Sequence, residues 1–87
     1  ALELHPDYVE AYNNRGLARF YSGDDAGALE DFNKSISLNP DYADAYANRG
    51  DWMYYDGKDA DACTDWSKAA GLGNAKAKKS ADKFCEH

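Results

Sequence analysis

The chain has 87 residues, with 16 Asp and Glu against 10 Lys and Arg, for a formal net charge of −6. That length holds one domain, and the acidic balance argues against nucleic acid as a partner, because phosphate binding rests on clustered Lys and Arg. There is neither a run of about 18 apolar residues nor a basic-flanked apolar leader, so the sequence predicts no membrane span and no membrane partner; it favours the cytoplasm without fixing a compartment.

In chain order, Ala1 to Pro6 aligns with Ser35 to Pro40, the last turn of a helix followed by its stop. Residues 1–6 are therefore expected to be the remnant of a preceding helix, and the chain an excised or engineered piece of a longer array. A first full unit is expected over 7–39. Asp7 is a candidate N-cap, and Tyr8, Ala11, Tyr12, Arg15, Gly16 and Arg19 follow at helical spacing to about Ser22. Gly23 stops that helix by tolerating positive φ. Asp24 or Asp25 caps the next, whose stripe Ala28, Leu29, Phe32, Ile36 and Leu38 runs to Asn39-Pro40.

The second unit, 40–73, repeats the first at an offset of 34 (Pro6 onto Pro40). Tyr8 returns as Tyr42, Ala11-Tyr12 as Ala45-Tyr46, and Asn14-Arg15-Gly16 as Asn48-Arg49-Gly50. Tyr21, Gly23, Ala28, Asp31 and Leu38 return as Tyr55, Gly57, Ala62, Asp65 and Leu72. Helices are expected from Asp41 to Asp56 and from Asp59 to Ala70, with Trp66 standing where Phe32 stood, in a slot between stacked helices. After Leu72 the connection shortens, and 74–87 reads as a terminal capping helix with Ala77 and Ala81 inward and a polar face of Lys76, Lys78, Lys79, Asp82 and Lys83. A repeat of this period means a unit that cannot bury its own apolar face and stacks on its neighbours. The fold class is all-α, an array of antiparallel helix hairpins.

The pattern Tyr12, Gly16, Ala28, Phe32, Pro40 and then Tyr46, Gly50, Ala62, Trp66 resembles the tetratricopeptide repeat. It departs from that family at Arg15 and Arg49, where Leu is frequent, at Arg19 and Met53, where Tyr is common, at Ser35 in place of Ala, and at Asn74 in place of the closing Pro. Arg15 and Arg49 are expected to bury their stems and run their guanidinium groups along the seam.

The resemblance implies a concave groove, lined by the first helix of each hairpin, that binds a peptide or protein. Carried onto this chain, the groove residues are Glu10, Asn13, Asn14, Leu17 and Tyr21, then Asp44, Asn48, Asp51 and Tyr55, then Lys78 and Lys79. Asn14 and Asn48 are the most suggestive pair, since each amide offers a donor and an acceptor to an extended backbone. The family's carboxylate clamp for acidic chaperone tails matches only at Asn48 and Lys79. Asn13, Leu17 and Ala75 miss its other positions, and Glu10, Asp44 and Asp51 would repel such a tail. A basic or mixed peptide suits the groove better. The competing expectation is self-association through the N-terminal end, with Leu2 and Leu4 at the contact.

Of the pairs Phe20-Tyr21 and Tyr54-Tyr55, one ring of each is expected to pack between hairpins and the other to face outward. Cys63 and Cys85 fall at the same end of neighbouring helices; a disulfide is open to them, and buried free thiols are the favoured reading. His5 and His87 are at opposite chain ends, and no metal-ligand spacing occurs. The acids Asp24, Asp25, Asp31, Asp56, Asp59, Asp61 and Asp65 are read as helix caps and solvated faces. There is no nucleophile with a nearby His and no phosphate loop. The expectation is a non-enzyme with no cofactor.

Overall fold

A computed structural model describes residues 6–85, which form five helices: α1 (Pro6–Ser22), α2 (Asp25–Leu38), α3 (Ala43–Tyr55), α4 (Asp59–Gly71) and α5 (Ala75–Phe84). The expected helix remnant at 1–6, with Leu2 and Leu4, and the residues His5 and His87 lie outside the described residues, apart from Pro6, which opens α1. Consecutive helices pack on each other, and α1 also touches α3. The first helices of the hairpins thus stand side by side.

The turns follow from glycine and aspartate. Gly23 and Gly57 take φ of 94° and 83°, a region where a Cβ is strained, so each ends a first helix and reverses the chain. Asp24 then caps α2, its Oδ1 accepting from the Gly27 N–H at 3.1 Å. At the other expected caps the structure differs. α1 already includes Pro6, ahead of Asp7, and α3 begins at Ala43 rather than Asp41. The reason at α3 is Asn39, whose Oδ1 accepts from the Asp41 N–H and whose carbonyl accepts from the Tyr42 N–H, at 3.1 Å each. That turn uses Asp41 before the helix begins.

The core is built from three large rings packed among small residues. Phe32 is fully buried with Ala28 and Trp52, and Trp66 is buried with Ala62, Ala69, Ala77 and Ala81. Gly16 and Gly50 let the rings approach: a Cβ there would come within 2.7 Å of Phe32 Cε1 and 2.6 Å of Trp66 Cδ1. Ser35, where the family pattern has Ala, is buried and donates its hydroxyl to the Val9 carbonyl at 2.8 Å, so its polar atom is satisfied across the hairpin.

Asp31 and Asp65 correct the reading of the acids as caps and solvated faces. Both are buried. Arg15 donates to Asp31 through Nε and Nη2 at 2.9 and 2.8 Å, and Arg49 donates to Asp65 through the same pair of nitrogens at 2.8 Å each. The guanidinium planes also lie 5.5 Å from the Tyr12 and Tyr46 ring centroids. Each hairpin is therefore tied by a forked ion pair, a geometry that Arg provides and Leu does not. In the first hairpin that fork holds the Asp31 carboxyl below the usual carboxylate range against the opposing cost of burial.

Cys63, early in α4, and Cys85, closing α5, form a disulfide with Cα atoms 5.8 Å apart. The favoured reading of free thiols does not describe this structure. The antiparallel packing of α4 and α5 brings the start of one to the end of the other, within bonding range.

Candidate functional site

The inner face of α1, α3 and α5 encloses a cleft of about 290 Å³. α1 supplies Glu10, Asn13, Asn14 and Leu17, and α3 supplies Asp44, Ala47, Asn48 and Asp51. Their spacing of three and four residues puts them on one helix face. α5 contributes Lys76, Ala77 and Ser80, with Tyr42, Asn74 and the edge of Trp66 completing the wall.

Of the two amides expected to meet a ligand, Asn48 is engaged within the chain. Asn48 donates through Nδ2 to Asn13 Oδ1 at 2.8 Å, and Asn13 is buried. Asn14 keeps its amide exposed. Asn13 and Asn48 thus form a bridge between the two hairpins, leaving Asn14 as the amide that faces outward. Sequence spacing places all three on the same face; which two meet depends on the offset between α1 and α3.

Charge is distributed along the cleft with acids predominating. Asp51 accepts from the Trp66 indole N–H at 3.0 Å. Its carboxyl is held above the ordinary range chiefly by burial, with the Trp66 hydrogen bond and the Lys76 charge pulling it back. Asp44 accepts from Asn74 Nδ2 at 2.9 Å. The Tyr42 hydroxyl is pushed up first by burial, then by Asp44 and Glu10, while its hydrogen bond to Asn13 opposes them. A site with this balance favours a cation or an N–H donor over an anion.

Of the remaining residues expected here, Tyr21 and Tyr55 lie in a separate cleft at the turn end of the hairpins. Lys78 is exposed and paired with Asp82 at 3.1 Å, and neither it nor Lys79 lines the groove. At 100° per residue, positions 76, 77 and 80 share the α5 face turned towards α3, and 78 and 79 fall outside it. Lys76 is the lysine that reaches the site. Tyr42, Asn74, Lys76 and Ser80 were not foreseen as groove residues. Asn74 carried a signal, since an Asn at the start of a helix is a cap: its Oδ1 accepts from the Ala77 N–H at 2.8 Å, which sets where α5 starts.

The fold and groove define an α-solenoid of helix hairpins, with a concave wall formed by the first helix of each hairpin. A family model described as TPR repeat matches residues 16–57. Two curated relatives named Tetratricopeptide repeat protein 36, from Mus musculus and Bos taurus, are 51% and 49% identical to the chain over 37 residues. That stretch is 42% of this chain and 20% of the relatives' length. Over these stretches the chain is similar to tetratricopeptide-repeat proteins. Such repeats are protein–protein interaction scaffolds and are generally non-catalytic.

Proposed function

We propose that the concave cleft binds an extended protein segment of basic or mixed charge, with the protein acting as a scaffold and not as an enzyme. The observation that carries this reading is Asp51, a half-buried carboxylate at the cleft wall whose burial opposes its charge. A bound cation offsets that cost, and an acidic segment adds to it. Glu10 and Asp44 extend the same preference along the wall, and exposed Asn14 offers a donor and an acceptor to peptide backbone. Lys76 is the cation placed to meet an acidic group at the α5 end, the role first expected of Lys78 and Lys79.

The test is fluorescence anisotropy with labelled peptides of basic, mixed and acidic composition at two salt concentrations. Basic and mixed peptides should bind, more weakly in high salt. Glu10→Gln and Asn14→Ala should each weaken binding by a few-fold. Equal binding of an acidic peptide, or indifference to both substitutions, would count against the groove.

A second reading, self-association, is favoured by the outer face of α1, where Tyr8 is 60% exposed and Ala11 and Tyr12 continue an open surface. Light scattering over a concentration series separates the two. A constant monomer mass supports the groove, and mass rising with concentration, reversed by Tyr8→Glu, supports assembly.

A further inference from the structure

The paired aromatics at the ends of α1 and α3 are not used by the groove. Phe20 and Tyr21 from α1 meet Trp52 and Tyr55 from α3 around a cleft of about 330 Å³, whose rim carries Asp25 and Asp56. Phe20 packs edge-on against Tyr55, with centroids 5.4 Å apart, and lies 5.7 Å from the Tyr21 ring. Tyr21 and Tyr55 are nevertheless 77% and 80% exposed, so their faces are available from outside. The Trp52 indole N–H donates to the Asp25 carbonyl at 2.8 Å. That bond fixes the ring between the two hairpins.

We propose that this cleft is a second binding site, and that it takes an arginine side chain presented by a partner protein. Three observations converge on that occupant. First, the lining residues are four aromatics, Gly23 and two aspartates, with no basic residue among them, which is the charge complement of a cation. Second, the chain's own Lys58 already tests that preference: its ammonium lies 5.8 Å from the Trp52 ring centroid and 3.5 Å from Asp56 Oδ2. Lys58 and Asp56 are both about half exposed, so this internal contact is displaceable. Third, the cleft is open and its rings are splayed, so it does not enclose a compact ammonium. A planar guanidinium can stack on one ring and still donate N–H groups sideways to a carboxylate. The same chain shows that arrangement twice, in Arg15 between Tyr12 and Asp31 and in Arg49 between Tyr46 and Asp65.

The site is independent of the concave groove, and the chain has a reporter for each. It contains two tryptophans: Trp52 borders the aromatic cleft and Trp66 the groove. The experiment follows both indole N–H signals by NMR while the 87-residue chain is titrated with the capped tripeptide Gly-Arg-Gly, and then with its lysine and citrulline counterparts. Arginine should move the Trp52 signal in a saturable way that Asp51→Asn, a change in the groove beside Trp66, leaves unaltered. Lysine should bind several-fold more weakly, and uncharged citrulline should not saturate. Replacing both exposed rings, Tyr21→Ala with Tyr55→Ala, should raise the dissociation constant about fivefold or more while leaving the buried core and the helical circular dichroism intact. Lys58→Ala, which uncovers Trp52 and Asp56, should lower it. The proposal is overturned if the Trp52 signal does not move, if its shift is lost in Asp51→Asn, if citrulline titrates like arginine, or if the double tyrosine variant binds as the parent does.

Discussion

The two hairpins differ most where they look most alike. Leu17 and Phe32 of the first correspond, at the offset of 34, to Asp51 and Trp66 of the second. The first pair is apolar. In the second, the ring keeps its place in the core and gains an N–H, which reaches Asp51 at 3.0 Å on the groove wall. The lesson is that core and site change together: a carboxylate can sit half buried beside the core in the second hairpin because the core aromatic there supplies a donor. Arg19 and Met53 form a second contrast. Arg19 Nη1 lies 3.3 Å from Asp31, giving the first hairpin a second cation on its buried acid, whereas Met53 gives Asp65 none.

The largest expected effect breaks that second contrast. Arg49→Met leaves Asp65 buried without its forked partner and should cost about 3 kcal/mol in urea unfolding, a large part of the stability of a chain this short. Arg15→Met should cost less, because Arg19 remains beside Asp31 and because Arg15 is the more exposed of the two arginines. Equal losses would remove the distinction. Reducing Cys63–Cys85, a bond spanning 22 residues that the first hairpin lacks, should lower stability by about 3 kcal/mol on the chain-entropy model; melting with and without reductant measures it. Gly50→Ala drives a Cβ into Trp66 and should cost about 2 kcal/mol, and Gly16→Ala should do the same against Phe32.

Smaller effects sharpen the first contrast. Trp66→Phe, which makes the second hairpin resemble the first, should cost about 1 kcal/mol through the lost hydrogen bond to Asp51. Asp51→Leu in the same chain should recover part of that loss, and a double-mutant cycle reads the coupling. The pH dependence has opposite signs in the two hairpins. Asp31 has a lowered folded pKa, so its ion pair contributes stability above the unfolded carboxylate value and loses it as pH falls through the folded one. Asp51 has a raised folded pKa, so its cost is absent in acid and appears as pH rises from the unfolded value to the folded one. The parent should therefore lose stability relative to Asp51→Asn as pH rises above the unfolded carboxylate value, as followed by thermal melts.

The helices and turns were legible because they rest on local chemistry repeated twice: glycine at the reversals, an apolar stripe at helical spacing, and a ring opposite Gly16 and Gly50. The ion pairs were half legible. Arg15 and Arg49 stood out as departures, but their partners Asp31 and Asp65 lie on the second helix of each hairpin, and an aspartate's sequence position does not reveal its burial. Repetition was the available signal, since both residues of the pair recur at the same offset. Most of the α1 and α3 residues that line the cleft are ones the resemblance implied, and they share a face because they recur at helical spacing. The α5 wall could not, because it depends on how the shortened connection rotates the last helix, which set Lys76 and not Lys78 or Lys79 at the cleft. Of each aromatic pair one ring was expected to face outward without its being fixed which, and Tyr21 and Tyr55 were assigned to the groove; the turn-end cleft they share arises only from the approach of α1 and α3.

The account rests most on Asp51 facing the ligand. Titration calorimetry of a basic peptide at a series of mildly acidic pH values, in buffers of different ionisation enthalpy, examines this directly. Binding should release protons from the raised Asp51 carboxyl, giving an observed heat that depends on the buffer, and Asp51→Asn should abolish that dependence and weaken binding. A heat independent of buffer, with affinity unchanged in Asp51→Asn, would contradict the concave cleft as the site of basic-segment recognition.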